Sequence, residues 1–231
     1  MIHRILSAVL LSVLAFAAWA EPPERRISVA GEGRVEAAPD MATITLGVTH
    51  EAKEARQAMS ATSEVVARVL ERLAGMGIAP RDLQTRQLSL SPVWSDSSVS
   101  ASNRRRITGF VASNTVMVRV RDLAALGGIL DAVIADGAND FNGLRFGVQD
   151  PAPLLDEARR RAVTDAMERA RLLAGAAGVA LGPVLSIDEH GGGSVAPMAE
   201  MAMRMSSGGA PVAAGELTIT ANVSMVFGIG E

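Results

Sequence analysis

One stretch of the chain could do chemistry by residue type and spacing. Met198, Met201, Met203 and Met205 lie close together, and His190 precedes them. Thioether sulfurs are soft donors that prefer Cu(I) to Zn(II), and an imidazole nitrogen can complete such a set. The same sulfurs can be oxidised reversibly to sulfoxide, which would make the stretch an oxidant sink. Methionine is also an adaptable packing residue, so an apolar loop of this kind can simply bed against a neighbouring subunit. Spacing alone leaves these readings open.

The other reactive residues form no recognisable constellation. His3, His50 and His190 are the histidines, and neither a His-x-x-x-His nor a Glu-x-x-His spacing occurs, so the zinc-hydrolase pattern is missing. No Gly-x-Ser-x-Gly elbow presents a serine,. Gly31-Glu32-Gly33 opens like a dinucleotide fingerprint, but position 36 is Glu and no helical pattern follows,. It reads better as a strand bend or bulge. Asp136 and Asp140 flank a turn and read as turn formers rather than cation ligands. The chain is therefore expected to be no enzyme and to need no cofactor.

Composition narrows the class. The chain has 231 residues and a formal net charge of −3, and it lacks cysteine. It must build its stability from an apolar core, without disulfides or a lipobox. A mildly acidic chain without a long basic tract is a poor nucleic-acid binder, and an aromatic content of 3% leaves few stacking platforms,. Residues 1–20 read as a secretory signal peptide: Arg4, then the apolar run Ile5 to Phe16, then Ala18-Trp19-Ala20 with cleavage expected before Glu21,. No other segment approaches a transmembrane helix.

The elements that must position these residues follow from periodicity. Ala158, Ala162, Ala166, Ala170 and Ala174 recur at every fourth position and make one small-residue stripe on a long helix,. Asp150 and two prolines mark its start, Gly175 and Gly178 its end. Ala55, Met59, Thr62, Val66, Val69 and Leu73 line a second long helix, stopped by Gly75 and Gly77. Leu126, Ile129, Leu130, Val133 and Ile134 mark a shorter helix behind Asp122 as cap,. Period-2 alternation predicts strands at Ile27–Ala30, Met41–Thr49, Leu83–Val93 (Leu88 and Leu90 inward), Ile107–Val120, Leu144–Val148, Val184–Ile187 and Leu217–Ile229,. Glu189–Glu216 is low in complexity and reads as a loop.

Leu46-Gly47-Val48, a helix, Gly77-Ile78-Ala79 and a strand are echoed by Phe146-Gly147-Val148, a helix, Gly178-Val179-Ala180 and a strand. This weak repeat predicts a two-layer α/β (α+β) fold. It would have two strand–helix–strand subdomains, with helices on one face of mainly antiparallel sheets. The expected parts are residues 27–95 plus 216–229, residues 107–189, and a flexible Gly/Met-rich loop over 190–215. The last strand is expected to pair near Ile27–Val35 or Met41–Val48. The alanine stripe is expected to pack on the sheet containing Leu144–Val148.

Six segments occur in a telling order. They are Val29-Ala30-Gly31-Glu32-Gly33; Ala38-Pro39-Asp40-Met41-Ala42; Ile107-Thr108-Gly109-Phe110 with Ala112-Ser113-Asn114; Gly137-Ala138-Asn139; Ala158-Arg159 with Ala162; and Ala214-Gly215-Glu216-Leu217. Together they resemble the SIMPL-domain family of bacterial periplasmic proteins, which includes immunogenic and oxidative-stress-defence proteins. The resemblance implies a periplasmic location, a second subdomain similar to a ferredoxin-like plait, and large homo-oligomers. It also implies a protective role in the envelope, with peripheral association there. It transfers no catalytic residue, and Gly33, Pro39, Asp40, Gly109, Gly137 and Asn139 are read as structural. The expected function is an oligomeric, non-catalytic scaffold or stress-protective factor. The alternative is a Cu(I) binder or oxidant sink using the methionine stretch.

Overall fold

The structure is a computed structural model that describes residues 25–95, 105–191, 194–197 and 213–230. The expected signal peptide, residues 1–20, lies outside them. The fold is mixed α+β, with two antiparallel sheets and helices packed against them. In chain order the elements are β1 (Arg26–Ala37), β2 (Met41–Ala52), α1 (Ala55–Gly75), β3 (Leu83–Trp94), β4 (Ile107–Val120), α2 (Leu126–Ala135), β5 (Asp140–Gly147), α3 (Ala152–Ala177), β6 (Ala180–Glu189), β7 (Ser194–Pro197) and β8 (Leu217–Gly230). The described residues fall into two compact units. One is drawn from Met1–Arg34, Asp156–Gly193 and Thr220–Glu231, the other from Val35–Leu155 and Ser194–Ile219.

In the larger unit the sheet order is β3-β4-β2-β5, and every neighbouring pair is antiparallel. Ala42, Ile44, Leu46 and Val48 of β2 alternate onto one face, opposite Val116, Val118 and Val120 of β4. Val65, Val66, Val69 and Leu73 of α1 and Leu126, Ile129, Leu130 and Val133 of α2 close over that face. Each fully buried Leu or Ile there contributes about 1.5–3 kcal/mol. The other face carries Thr43, Thr45 and Thr49 and is left open by the helices,.

The three α-helices among the described residues stop in the same way. Gly77, Gly137 and Gly178 take positive φ (86°, 108° and 69°). Behind each, the next residue's N–H reaches back: Ile78 to Leu73, Ala138 to Val133, Val179 to Ala174. Glycine adopts this left-handed cap without a Cβ clash. Asp150 Oδ1 accepts the Ala152 N–H at 3.3 Å at the start of α3.

In the second sheet β8 lies between β1 and β6, and β7 also pairs with β8. Leu217, Ile219, Ala221, Val223, Met225 and Phe227 of β8 are all buried, as their alternation requires. The pairing of β8 with β1 meets the expectation for the last strand. The alanine stripe of α3 is likewise buried throughout, but on another partner than expected. It lies on β1, not on the sheet of β5. A Cβ on Gly31 would stand 2.1 Å from the Ala162 carbonyl oxygen, and one on Gly33 would stand 1.9 Å from that of Ala158. The two glycines are thus no bend. Strand β1 runs unbroken from 26 to 37, and the missing side chains let the helix backbone touch it.

The same helix closes the free edge of β1. Arg161 Nη1 donates to the Arg34 carbonyl at 2.7 Å, the Glu32 N–H donates to Asp165 Oδ2 at 2.8 Å, and Arg169 Nη1 donates to the Ala30 carbonyl at 3.1 Å. Residues 161, 165 and 169 are one helical turn apart, and residues 30, 32 and 34 share one strand edge. Side chains thereby take the place of a further strand and block edge-to-edge pairing.

The expected grouping of 107–189 as one subdomain does not match the sheets. Strands β4 and β5 hydrogen-bond to β2, whereas β6 hydrogen-bonds to β8. The echoed Leu46 and Phe146 strands are neighbours in a single sheet, with Ala42 opposite Phe146. The repeat therefore does not mark two separate copies of a module. The expected loop also holds a short strand, β7, that pairs with β8.

Candidate functional site

Of the five candidate metal ligands, Met198, Met201, Met203 and Met205 lie outside the described residues. His190 follows β6; its N–H donates to the Asn222 carbonyl at 3.1 Å and its side chain is exposed. Among the described residues no group of three or more His, Asp or Glu is placed to hold a metal ion. The chelation expectation is decided by titrating Cu(I) into the chain with Met198, Met201, Met203 and Met205 all changed to Leu. Chelation predicts at least about a tenfold loss of affinity, since leucine keeps the bulk and removes the sulfur donors. Unchanged affinity would show that the stretch is packing material.

Asp136 is engaged by an arginine. Its carboxylate takes Arg72 Nε at 2.8 Å and Nη2 at 3.3 Å, joining the ends of α1 and α2. The hydrogen bond from Arg72 holds that carboxyl below its ordinary range, against the opposing effect of desolvation. A hollow of about 440 Å³ beside this pair is lined by Arg68, Glu71 and Met76, so its charges are of both signs.

Two surfaces stand out that the sequence reading did not single out. The first is the hairpin β3–β4. Leu88 and Leu90, expected inward, are 58% and 41% exposed. Their register explains this. Leu90 pairs with Ala112 and Leu88 with Asn114. Thr62 of α1 donates its hydroxyl to the Ala112 carbonyl, and Ala112 is fully buried. The helix thus covers β4 but leaves this half of the edge strand β3 bare. Further along, Trp94 and Ile107 are cross-strand partners and are also half exposed. Beside the bare leucines, His50 Nδ1 and Asn114 Oδ1 are buried without a hydrogen-bond partner.

The second is the open face of the same sheet. Thr43 pairs with Arg119 on one side and Arg145 on the other. Directly paired residues share a face, so Thr43 lies in one row between two arginines. Register breaks occur on both sides of Thr45: between Thr85 and Gln87 on β3, and opposite Ile44/Leu46 on β5. Gly143, at φ 127°, supplies the second. Bulges re-aim side chains, and here they bring Arg86 and Asn142 to the same hollow of about 510 Å³ as Thr43, Thr45 and Arg145.

No described helix is long and apolar enough to cross a membrane. The family model described as "SIMPL: Protein of unknown function (DUF541)" matches residues 27–227. The chain is 38% identical over 211 residues to the 26 kDa periplasmic immunogenic protein of Brucella melitensis, covering 88% of this chain and 84% of that one. It is 34% identical over 172 residues to the uncharacterized protein YggE of Edwardsiella ictaluri, covering 74% and 71%. It is 31% identical over 215 residues to the uncharacterized protein YggE of Escherichia coli, covering 92% and 85%.

Proposed function

The chain belongs to the SIMPL family and is periplasmic, and from that premise we propose that it works as a self-assembling envelope factor, without an active site of its own, that protects against oxidative stress. The observation that carries the assembly is the bare hairpin. Leu88, Leu90 and Trp94 of the edge strand β3, with Ile107 beside Trp94 on β4, present apolar area, the kind of surface that soluble monomers rarely leave uncovered. The buried Nδ1 of His50 and Oδ1 of Asn114 point the same way. Buried polar atoms are normally satisfied, and a second copy seated on the patch would bring donors and acceptors to them. Burying each leucine in such an interface would contribute up to about 1.5–3 kcal/mol.

Light scattering after size exclusion tests this. The mature chain should elute as a large particle, and a Leu88→Glu/Leu90→Glu variant should fall to a much smaller one while keeping its circular dichroism. A variant of unchanged particle size would remove the hairpin from the interface, and a monomeric parent would end the assembly reading. The protective role is tested separately. A strain lacking the chain should lose viability in peroxide. Failure to see any difference from the parent strain would refute that part.

A further inference from the structure

We infer that the open face of the β3-β4-β2-β5 sheet is a binding site for a small, soluble, phosphate-bearing polyol, held by Arg119 and Arg145 across Thr43 and by Arg86 at the rim. Three independent features converge there. The first is charge. Arg34, Arg72, Arg121, Arg159, Arg160, Arg161 and Arg169 each sit within 3.0 Å of a carboxylate. Arg86, Arg119 and Arg145 have no ion pair among the described residues. Of the β2 and β5 carboxylates on this face, the nearer one, Asp140, lies over Gly47, and Glu51 lies farther along beside Gly109. Gly47 is four residues along β2 from Thr43, or about 13 Å at strand spacing. One end of the face therefore carries positive charge without a direct ion pair, since Asp82, the carboxylate nearest Arg119, is taken up by Arg121.

The second feature is spacing. Arg119, Thr43 and Arg145 lie in one row on three adjacent strands. Neighbouring strands are about 4.8 Å apart, so the two arginine backbones stand about 10 Å from each other. A guanidinium fork reaches about half that distance, so both can close on one tetrahedral anion above the Thr43 hydroxyl, which can donate to it from below. Arginine suits this geometry because its planar fork matches phosphate oxygens two at a time.

The third feature is the lining beyond the charge. Next to the row, the hollow holds Thr45, Thr115, Gln87 and Asn142. Their hydroxyl and amide groups both donate and accept, as the hydroxyls of a polyol require. Among the described residues no aromatic side chain lines it, so a nucleobase would find no stacking surface there. Its volume of about 510 Å³ is that of a small-molecule site, but it is open and polar, which suits a hydrated ligand rather than an apolar one. The two bulges are what turn a flat sheet into this cup. Without them Arg86 and Asn142 would follow the regular alternation of their strands.

Titration calorimetry with glycerol 3-phosphate, on the full mature chain in a buffer free of phosphate and sulfate, tests the assignment. The probe should bind saturably, and more tightly than inorganic phosphate, because the glycerol hydroxyls add contacts. An Arg119→Gln/Arg145→Gln variant should weaken binding at least tenfold. Arg68→Gln, which removes a charge away from this face, should leave it unchanged. Thr45→Val should remove the preference for glycerol 3-phosphate over inorganic phosphate while keeping phosphate binding. The site would be overturned by absent saturable binding, by full affinity in the double arginine variant, or by an equal loss in Arg68→Gln. Vesicles of phosphatidylglycerol form the last arm. If they bind and glycerol 3-phosphate does not, the face docks a membrane and the proposal fails.

Discussion

Replacing Gly33 by alanine should destabilise the chain by about 3 kcal/mol or more, at the upper end of what overpacking costs. The added methyl would meet backbone only. It would stand 1.9 Å from the Ala158 oxygen and 2.5 Å from the Ala162 nitrogen. No rotamer change can relieve such a clash, so the helix must lift off the strand. Lifting it also stretches the bonds that Arg161, Asp165 and Arg169 make to the edge of β1. Repacking the alanine stripe and losing edge protection therefore arrive together. For a chain of this size the loss corresponds to a fall in melting temperature of roughly 6–12 °C. Gly128→Ala provides the contrast. Gly128 sits inside α2 with nothing within 4 Å of a new Cβ, so the same methyl should stabilise by about 0.5–1 kcal/mol through helix propensity. Chemical denaturation of both variants is the measurement. A Gly33→Ala protein as stable as its parent would mean that α3 does not lie on β1.

The contrast also marks how far the sequence could be read. Local periodicity located the elements: the alternation of β8, the four-residue spacing of alanines in α3, and the glycines that end α1, α2 and α3 are each set within a few residues. What periodicity does not carry is the partner. Gly31 and Gly33 signal a special position on a strand, and a bend and a helix dock need glycine equally. Only the helix above them decides. For Leu88 and Leu90 the period gives the side of the strand correctly, but not that α1 ends its cover at β4. The arginine row was illegible for a further reason. Arg86, Arg119 and Arg145 belong to three strands, have no spacing in common, and meet only through register and two bulges. The methionine stretch, conspicuous by spacing, lies outside the described residues.

An Asp82→Asn exchange should cost about 2 kcal/mol near neutral pH, and that cost should vanish in acid. Asp82 ends a short helical turn ahead of β3 and is only 4% exposed. Its two oxygens take Arg121 Nη2 at 2.7 Å and Nε at 2.8 Å. Arg121 in turn donates to Gln149 Oε1, and Gln149 donates to the backbone and side chain of Asp40. One ionised carboxylate thus anchors a chain of bonds joining the ends of β4 and β5 to the start of β2. An amide of the same size offers one acceptor oxygen and turns its NH₂ toward the guanidinium, so one charge-assisted bond is lost and a repulsion is gained. Such bonds contribute about 1.5–3 kcal/mol each. The hydrogen bond from Arg121 holds the Asp82 carboxyl below its ordinary value of 3.8, while desolvation opposes the shift and the Arg121 charge adds to it. A carboxyl lowered on folding binds its proton more weakly in the native state than in the unfolded one. Its stabilisation is therefore complete above the unfolded value, and it is lost as pH falls through the lower folded one. The other paired carboxylates titrate alike in parent and variant and cancel in their difference. Urea midpoints of both proteins, from about pH 7 down to about pH 2, should converge as Asp82 takes its proton. A gap of constant size over that range would mean that the charge on Asp82 contributes nothing, and that Arg121 is held by shape alone.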